Sequence, residues 1–125
     1  MNRYAALHSF YASFGLKAYE ENTVPSGENA PDYPYLTYNV VTDSFGKDVP
    51  LSLSLWYRGT SLKEINAKTE EISAKIGTCG VFIKSDDGGI WLRRGTPFAQ
   101  NMSDPEDGMI IRKYINLVAE YITND

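Results

Sequence analysis

Side chains that could perform covalent or acid–base chemistry are few in this sequence. His8 is its single histidine and Cys79 its single cysteine. The two could in principle form a Cys–His dyad, but nothing around either residue indicates an activated nucleophile. They are also too few for a zinc site of the Cys/His type. We therefore interpret His8 as a structural or surface residue, and Cys79, next to an apolar strand, as a small buried hydrophobe.

The carboxylates form three clusters, and none has the alternating ligand spacing of a calcium loop. The clusters are Glu20 with Glu21, Asp86 with Asp87, and residues 104–107. Turn chemistry accounts for the second cluster, because a glycine follows it directly. Spacing alone assigns no carboxylate pair to a common face, so general acid–base catalysis has no support. We expect a protein that is not an enzyme and holds no metal or cofactor.

Two tryptophans and two basic doublets are stronger candidates, and they indicate binding. Alternation along the strands places Trp56 and Trp91 opposite the leucines, so each ring is covered either by a loop of its own chain or by a partner. The doublets begin at Arg93 and Arg112 and flank a long loop. They are either solvated strand ends or contacts to a neighbouring subunit, where arginine is enriched.

Length and composition indicate one acidic globular domain. The chain has 125 residues and a formal net charge of −4, and we assign residues 1–125 to a single domain. The charge argues against a general nucleic-acid binder, which would normally have a basic face. Nine tyrosines, five phenylalanines and two tryptophans are many for so small a core, so we expect some at a contact surface.

The sequence also gives expectations about the cellular compartment. A single cysteine fits a reducing compartment. No apolar run approaches the ~20 residues of a membrane span, and the N-terminus lacks the pattern of a signal peptide. We expect no association with a membrane.

Two segments have helical periodicity. Residues 2–14 carry one apolar stripe, and Gly15 is a natural end for this helix. Residues 61–76 carry a narrow apolar stripe of the kind that packs on a sheet. Ser61 and Glu64 match the capping box that begins a helix, and Gly77 follows the last turn.

Alternation of apolar and polar residues predicts strands elsewhere. Residues 35–42 and 51–57 form a hairpin around the loop 43–48. Residues 80–84 and 89–93 form a second hairpin around an Asp-Gly turn. Residues 16–22 are compatible with a further short strand.

The last third of the chain is less regular. Residues 95–108 have no period and are predicted to be a long loop, which in a compact domain is usually functional or disordered. Residues 109–122 fit both a helix and a strand. We favour a strand, because the order helix, hairpin, helix, hairpin leaves a sheet that a last strand would complete.

The order of these elements, with two short runs, resembles a known protein family. A short amphipathic helix leads into a segment containing the runs ENTVP and YPYLTY, and the last strand has the core Ile115-Asn116-Leu117. This pattern is similar to the tail terminator (tail completion, or tail-to-head joining) proteins of long-tailed phages, including the lambda-like ones. The resemblance covers nearly the whole chain.

The resemblance implies a fold and an assembly. The fold is a single α+β domain with a mixed or antiparallel sheet of four to five strands and two main helices packed on one face. The assembly is a homo-hexameric ring on the head-proximal end of the tail tube. The ring ends tube polymerisation and presents a surface to the head–tail connector or neck protein. DNA only passes through the lumen, and the protein resides in the virion after assembly in the host cytoplasm.

We predict that the contacts with neighbours lie on the two loops and on the exposed strand faces. This prediction follows from loop length and from the position of the aromatic residues, and no site is transferred from the family. The predicted interface residues are Phe45, Trp56, Arg58, Trp91, Arg93, Arg94, Phe98 and Met102.

Two other functions fit the sequence. The first is a neck, head-closure or other tail-assembly protein, which would differ in ring size and in binding connectors instead of tubes. The second is a small enzyme or ligand-binding domain, which would need a deep pocket with convergent polar groups.

Overall fold

The structure is a computed structural model that describes residues 1–124. Within these residues the chain forms two α-helices and six β-strands, with a 3₁₀ turn at Gly27–Asn29. The elements follow in the order α1 (Arg3–Ala12), β1 (Lys17–Glu20), β2 (Tyr35–Tyr38), β3 (Asp48–Arg58), α2 (Lys63–Ile76), β4 (Val81–Ser85), β5 (Gly88–Ser103) and β6 (Ile110–Thr123).

The strands form one mixed sheet in the order β1-β2-β3-β6-β5-β4. The edge pair β1–β2 is parallel, and every other neighbouring pair is antiparallel. The predicted α+β class, the sheet and the two helices are confirmed. The strand number is six instead of four to five, because the short segment β1 pairs fully with β2 at the sheet edge.

The predicted loop at residues 95–108 is wrong for most of its length. Strand β5 continues to Ser103, and after an irregularity between Arg94 and Ala99 it pairs again with β6. Gly95 and Pro97 lie in this irregularity, which removes the alternation that would have indicated a strand. Residues 99–103 are strand because their backbone groups pair with β6, regardless of local pattern. The predicted last strand is confirmed as β6.

Both helices pack on the same face of the sheet. Leu7 and Tyr11 of α1 and Ile72 of α2 are fully buried in one core with the inward side chains of the strands, such as Leu53 and Ile115. Burial of these side chains is the main source of stability, at roughly 1.5–3 kcal/mol for each large apolar side chain. None of the helices in the described part of the chain is long and apolar enough to cross a membrane.

The start of α2 differs from the predicted capping box. The helix begins at Lys63, and the residue in the capping position, Leu62, makes no side-chain hydrogen bond there. The hydroxyl of Ser61 instead accepts a hydrogen bond from the backbone N–H of Lys63 at 3.2 Å. Ser61 therefore closes the turn before the helix instead of capping it.

Alternation along the strands divides the sheet into a helix-covered face and an uncovered face. The uncovered face is the side of the sheet that carries Trp56 and Trp91, whose register partners Arg112 and Glu120 point the same way. The two helices pack on the other side, so side chains of the uncovered face contact strand neighbours and loops. This face is where the candidate interaction residues lie.

Candidate interaction surface

A row of side chains crosses the uncovered face on five adjacent strands. The register places these residues side by side in the order Lys17, Tyr35, Trp56, Arg112 and Met102, on β1, β2, β3, β6 and β5. Residues directly opposite in neighbouring strands are about 4.5–5.5 Å apart at Cβ, so their side chains interact. The sheet thus aligns two aromatic rings and two cations from distant parts of the sequence.

Trp56 lies at the centre of this row and is held by its neighbours on both sides. The ring of Tyr35 is nearly parallel to the indole ring of Trp56, with an interplanar angle of 10° and centroids 6.0 Å apart. The guanidinium carbon of Arg112 lies 4.7 Å from its centre. Its indole N–H donates to the hydroxyl of Thr37 at 2.9 Å. The indole is therefore fixed in orientation while remaining half-buried.

Arg112 connects three side chains of the uncovered face. Besides Trp56, its guanidinium lies 5.5 Å from the ring centre of Tyr114, and its Nε donates to the Ser54 hydroxyl at 3.0 Å. A guanidinium over an aromatic ring contributes about 0.5–2 kcal/mol, depending on desolvation. In residues 1–124 no carboxylate lies within 4.0 Å of Arg112. The guanidinium of Arg112 is thus held by aromatic rings and forms no ion pair within residues 1–124.

A second cluster on the same face surrounds Trp91. The guanidinium carbon of Arg93 lies 4.1 Å from the Trp91 ring centre, and Arg93 also forms an ion pair with Asp48. The indole N–H of Trp91 donates to the backbone carbonyl of Cys79 at 3.0 Å. The register partners of the two tryptophans on β6 are eight residues apart, or roughly 26 Å at about 3.3 Å per residue. Trp56 and Trp91 therefore belong to two separate clusters on one face.

The structure brings five of the eight predicted interface residues to the uncovered face. Arg58 lies there and is ion-paired with Asp107 at 2.5 Å. Met102 lies beside Arg112 and is 39% exposed. The five residues on this face are Trp56, Arg58, Trp91, Arg93 and Met102.

Three predicted interface residues lie elsewhere. Arg94 is exposed but follows Arg93 on β5 and so points to the opposite face, in register with buried Leu117. Phe98 packs in part against the core. Phe45, half exposed, lies in the loop before β3, where its ring meets Tyr121 at 6.4 Å.

The two basic doublets are each divided between the faces of the sheet. In the second doublet, Arg112 is on the uncovered face, whereas Lys113 is buried on the helix-covered face and donates to Asn66 of α2 at 2.8 Å.

The surface also includes three residues that the predicted interface set omitted, namely Tyr35, Arg112 and Tyr114. Alternation places these residues near Trp56 only once the pairing of β3 with β2 and with β6 is known.

The loop that borders this surface is held by a short network. A hydrogen bond with Arg58, followed by one from the Met109 backbone N–H, lowers the pKa of Asp107 below its usual value. The same contact raises the pKa of Arg58. Residues 103–105 of this loop border Trp56 and Arg112 around a small hollow of about 110 Å³. Trp56 is thus partly bordered by its own chain and remains partly exposed.

The candidate chemical residues of the sequence are not assembled into a reactive site. Nδ1 of His8 is hydrogen-bonded to the Tyr38 hydroxyl at 2.8 Å. Cys79 is exposed, so its prediction as a buried hydrophobe is wrong; it lies in the turn between α2 and β4, outside the strand. In residues 1–124 no group of three His, Cys, Asp or Glu side chains is arranged to hold a metal ion. A hollow of about 660 Å³ is lined in part by Arg3 and Asp87, which pair with each other.

In comparisons with known proteins, no protein-family model, no curated protein and no solved structure matches the chain.

Proposed function

We propose that this protein is a structural subunit of a phage tail. It assembles as a ring on the head-proximal end of the tail tube, ends tube polymerisation and forms the interface to the head connector. The proposal is supported by the resemblance of the sequence and by the fold that this resemblance implies, a mixed sheet with two helices on one face. The observation that carries it is the uncovered sheet face with its row of aromatic and basic side chains.

The side chains of the uncovered face suit binding to a protein. Trp56 and Arg112 are of the residue types that dominate binding energy at protein interfaces. They are already held by Tyr35, Thr37 and Ser54, so little side-chain freedom is lost when a partner covers them. Such a surface acts by contact, and it needs no catalytic group.

The shape of the sheet supports assembly into a ring. The two edges of the sheet are unlike, because β1 lies at one edge in a parallel pair and β4 at the other in an antiparallel pair. When two unlike surfaces of a protein are complementary, copies associate head to tail, and such an association closes into a ring when the rotation between subunits permits. A ring leaves two axial surfaces, one for the tube and one for the connector.

Light scattering on the purified protein, alone and with tail tubes of the same phage, tests this function. We expect either a ring in solution or a monomer that forms a ring at tube ends, where the tube supplies the missing interface energy. Electron microscopy of the mixture would then show capped tubes that no longer elongate. A protein that is monomeric at every concentration and does not bind tail tubes would refute the proposal. Rings that bind connectors but leave tubes uncapped would indicate a neck or head-closure protein instead.

A further inference from the structure

The uncovered face is basic although the chain as a whole is acidic. The formal net charge of the chain is −4. By register, the strands of the uncovered face carry two acidic side chains, Asp48 and Glu120, against five basic ones. The bordering loop adds two carboxylates, Asp104 and Asp107, so the face has a small excess of positive charge. Two of the basic residues are neutralised within the chain, by Asp107 and Asp48. The five basic residues are Lys17, Arg58, Lys84, Arg93 and Arg112.

The opposite charge is concentrated in one part of the chain. Residues 18–46, here called the acidic segment, contain no lysine or arginine. Within residues 1–124 none of their carboxylates lies within 4.0 Å of a basic group. All are exposed except Glu20, which is half-buried. The carboxylates of the acidic segment are Glu20, Glu21, Glu28, Asp32 and Asp43.

The acidic segment and the unpaired cation Arg112 are separated within one chain. The segment contains residues 18–20 of β1, all of β2 and the connection between them at one edge of the sheet, followed by residues 39–46. Lys17, the first residue of β1, lies outside it. Arg112 lies on β6, three strand positions from β1, or roughly 14 Å at about 4.8 Å per strand. An ion pair requires about 4 Å, so these charges do not meet within the molecule. The edge of a second copy can reach the uncovered face.

We propose that the acidic segment of one copy docks on the uncovered face of the next copy, centred on Arg112 and Trp56. This inference rests on the proposed function, because it names the contact that closes the ring. The two surfaces differ, so each copy offers one of each and the association runs head to tail. Guanidinium groups pair well with carboxylates at interfaces, and Trp56 supplies the apolar part of the contact.

Charge complementarity favours a second copy over a nucleic acid as the occupant. Single-stranded nucleic acids also bind to faces with arginine and stacked aromatic rings. The acidic segment at the edge of the same sheet would repel phosphates, whereas in a second copy that segment is the complementary surface. The nucleic acid is therefore an alternative that the experiment must separate from self-association.

Two complementary charge reversals test the contact. The face variant is Arg112→Glu, and the edge variant combines Glu21→Lys, Glu28→Lys and Asp32→Lys. These three carboxylates make no side-chain hydrogen bond or ion pair in the described residues, so we expect the edge variant to fold normally. Each variant alone brings like charges together, and we expect its association to weaken at least about tenfold.

Mixing the two variants gives the decisive result. A reversed face then meets a reversed edge, and a native face meets a native edge, so the mixture forms rings in which the variants alternate. We expect light scattering, with tail tubes present if the native protein closes only on tubes, to show rings in the mixture and not in either variant alone. High ionic strength should weaken the native ring, because exposed charges are screened.

Control variants separate loss of the contact from loss of the fold. Arg94→Glu reverses an exposed arginine that points to the opposite face of the sheet, and should assemble normally. The pair Glu64→Lys and Glu70→Lys reverses two exposed charges of α2 and should do the same. Arg112→Gln removes the charge without reversing it and should weaken association less than Arg112→Glu. Thermal unfolding by circular dichroism would confirm that each variant is folded.

The outcomes distinguish this inference from the proposed function. Rings that cap tubes and tolerate both reversals would overturn the inference and leave the proposed function standing. A native protein that neither forms rings nor caps tubes would overturn both. Failure of the mixture to assemble, together with binding of a fluorescent single-stranded oligonucleotide that Arg112→Glu abolishes, would assign the face to nucleic acid and overturn the inference.

Discussion

The guanidinium carbon of Arg112 lies 4.7 Å from the ring centre of Trp56, across the central pair of strands β3 and β6. The two residues are 56 positions apart in the chain, and the sheet register alone makes them neighbours. Since Tyr35 stacks on the other side of the indole, the pair is rigid before any partner arrives. A rigid aromatic and basic pair on an uncovered sheet face is the structural basis of the proposed interface.

Replacement of the two tryptophans should abolish assembly while leaving the domain folded. The double variant is Trp56→Ala/Trp91→Ala. Both indole rings are half-buried in the native protein, so we expect each substitution to lower the free energy of unfolding by about 1–3 kcal/mol. This is less than the loss of about 3–5 kcal/mol expected for a fully buried aromatic ring. Ring formation and tube capping should be lost. Tyr4→Ala, which removes an exposed aromatic of α1, is the control. Intact rings formed by a destabilised double variant would show that the tryptophans serve the fold alone.

Tyr11→Phe should stabilise the protein. The Tyr11 ring is fully buried, and its hydroxyl has no hydrogen-bond partner in residues 1–124. A buried hydroxyl without a partner costs about 1–3 kcal/mol, so its removal should raise the free energy of unfolding by about 1 kcal/mol. Tyr121→Phe is the matched control, because the Tyr121 hydroxyl donates to the Val41 carbonyl at 2.7 Å. In chemical denaturation, the unfolding midpoint should rise for Tyr11→Phe and fall for Tyr121→Phe. A lower midpoint for Tyr11→Phe would contradict the prediction.

Stability should fall steeply in alkaline solution. Burial raises the pKa of Tyr11 far above its usual value, and burial also raises the pKa values of Tyr38, Tyr57 and Tyr121. Above the unfolded pKa of about 10 the unfolded chain releases phenolic protons that the folded chain keeps. Stability is therefore fully present below about pH 10 and is lost as the pH rises, by about 1.4 kcal/mol per pH unit for Tyr11 alone.

Urea denaturation at a series of alkaline pH values measures this loss. Tyr11→Phe should reduce the slope of stability against pH above about pH 10 by one proton equivalent. A slope that is the same in the native protein and in Tyr11→Phe would show that the Tyr11 hydroxyl ionises in the folded state.

Gly88→Ala should destabilise the second hairpin severely. Gly88 has φ +144°, and a Cβ there would lie 1.9 Å from the backbone oxygen of Ile122. Because that obstacle is backbone in a paired strand, we expect a loss of at least about 2 kcal/mol. Gly108→Ala is the control, since nothing lies within 4 Å of a Cβ at that position. Equal melting temperatures for the two variants would contradict this account of the hairpin.

Local pattern was enough to determine most elements of the fold. Alternation identified β3 from its leucines and serines, and the three- and four-residue spacing identified α2. The Asp-Gly turn predicted the hairpin of β4 and β5. The placement of Trp56 and Trp91 opposite the leucines was also predicted from alternation, because successive side chains of a strand point to opposite faces.

Tertiary structure decided what local pattern does not encode. Residues 95–103 contain Gly95 and Pro97 and lack a period, yet β5 continues through them because residues 99–103 pair with β6 beyond an irregularity at 95–98. Cys79 is exposed because the turn between α2 and β4 carries it outside the strand. The row from Lys17 to Met102 exists only through strand order and register, which depend on long-range pairing. The sequence by itself thus determined the elements and the side each residue faces, whereas the pairing of distant strands decided which residues meet.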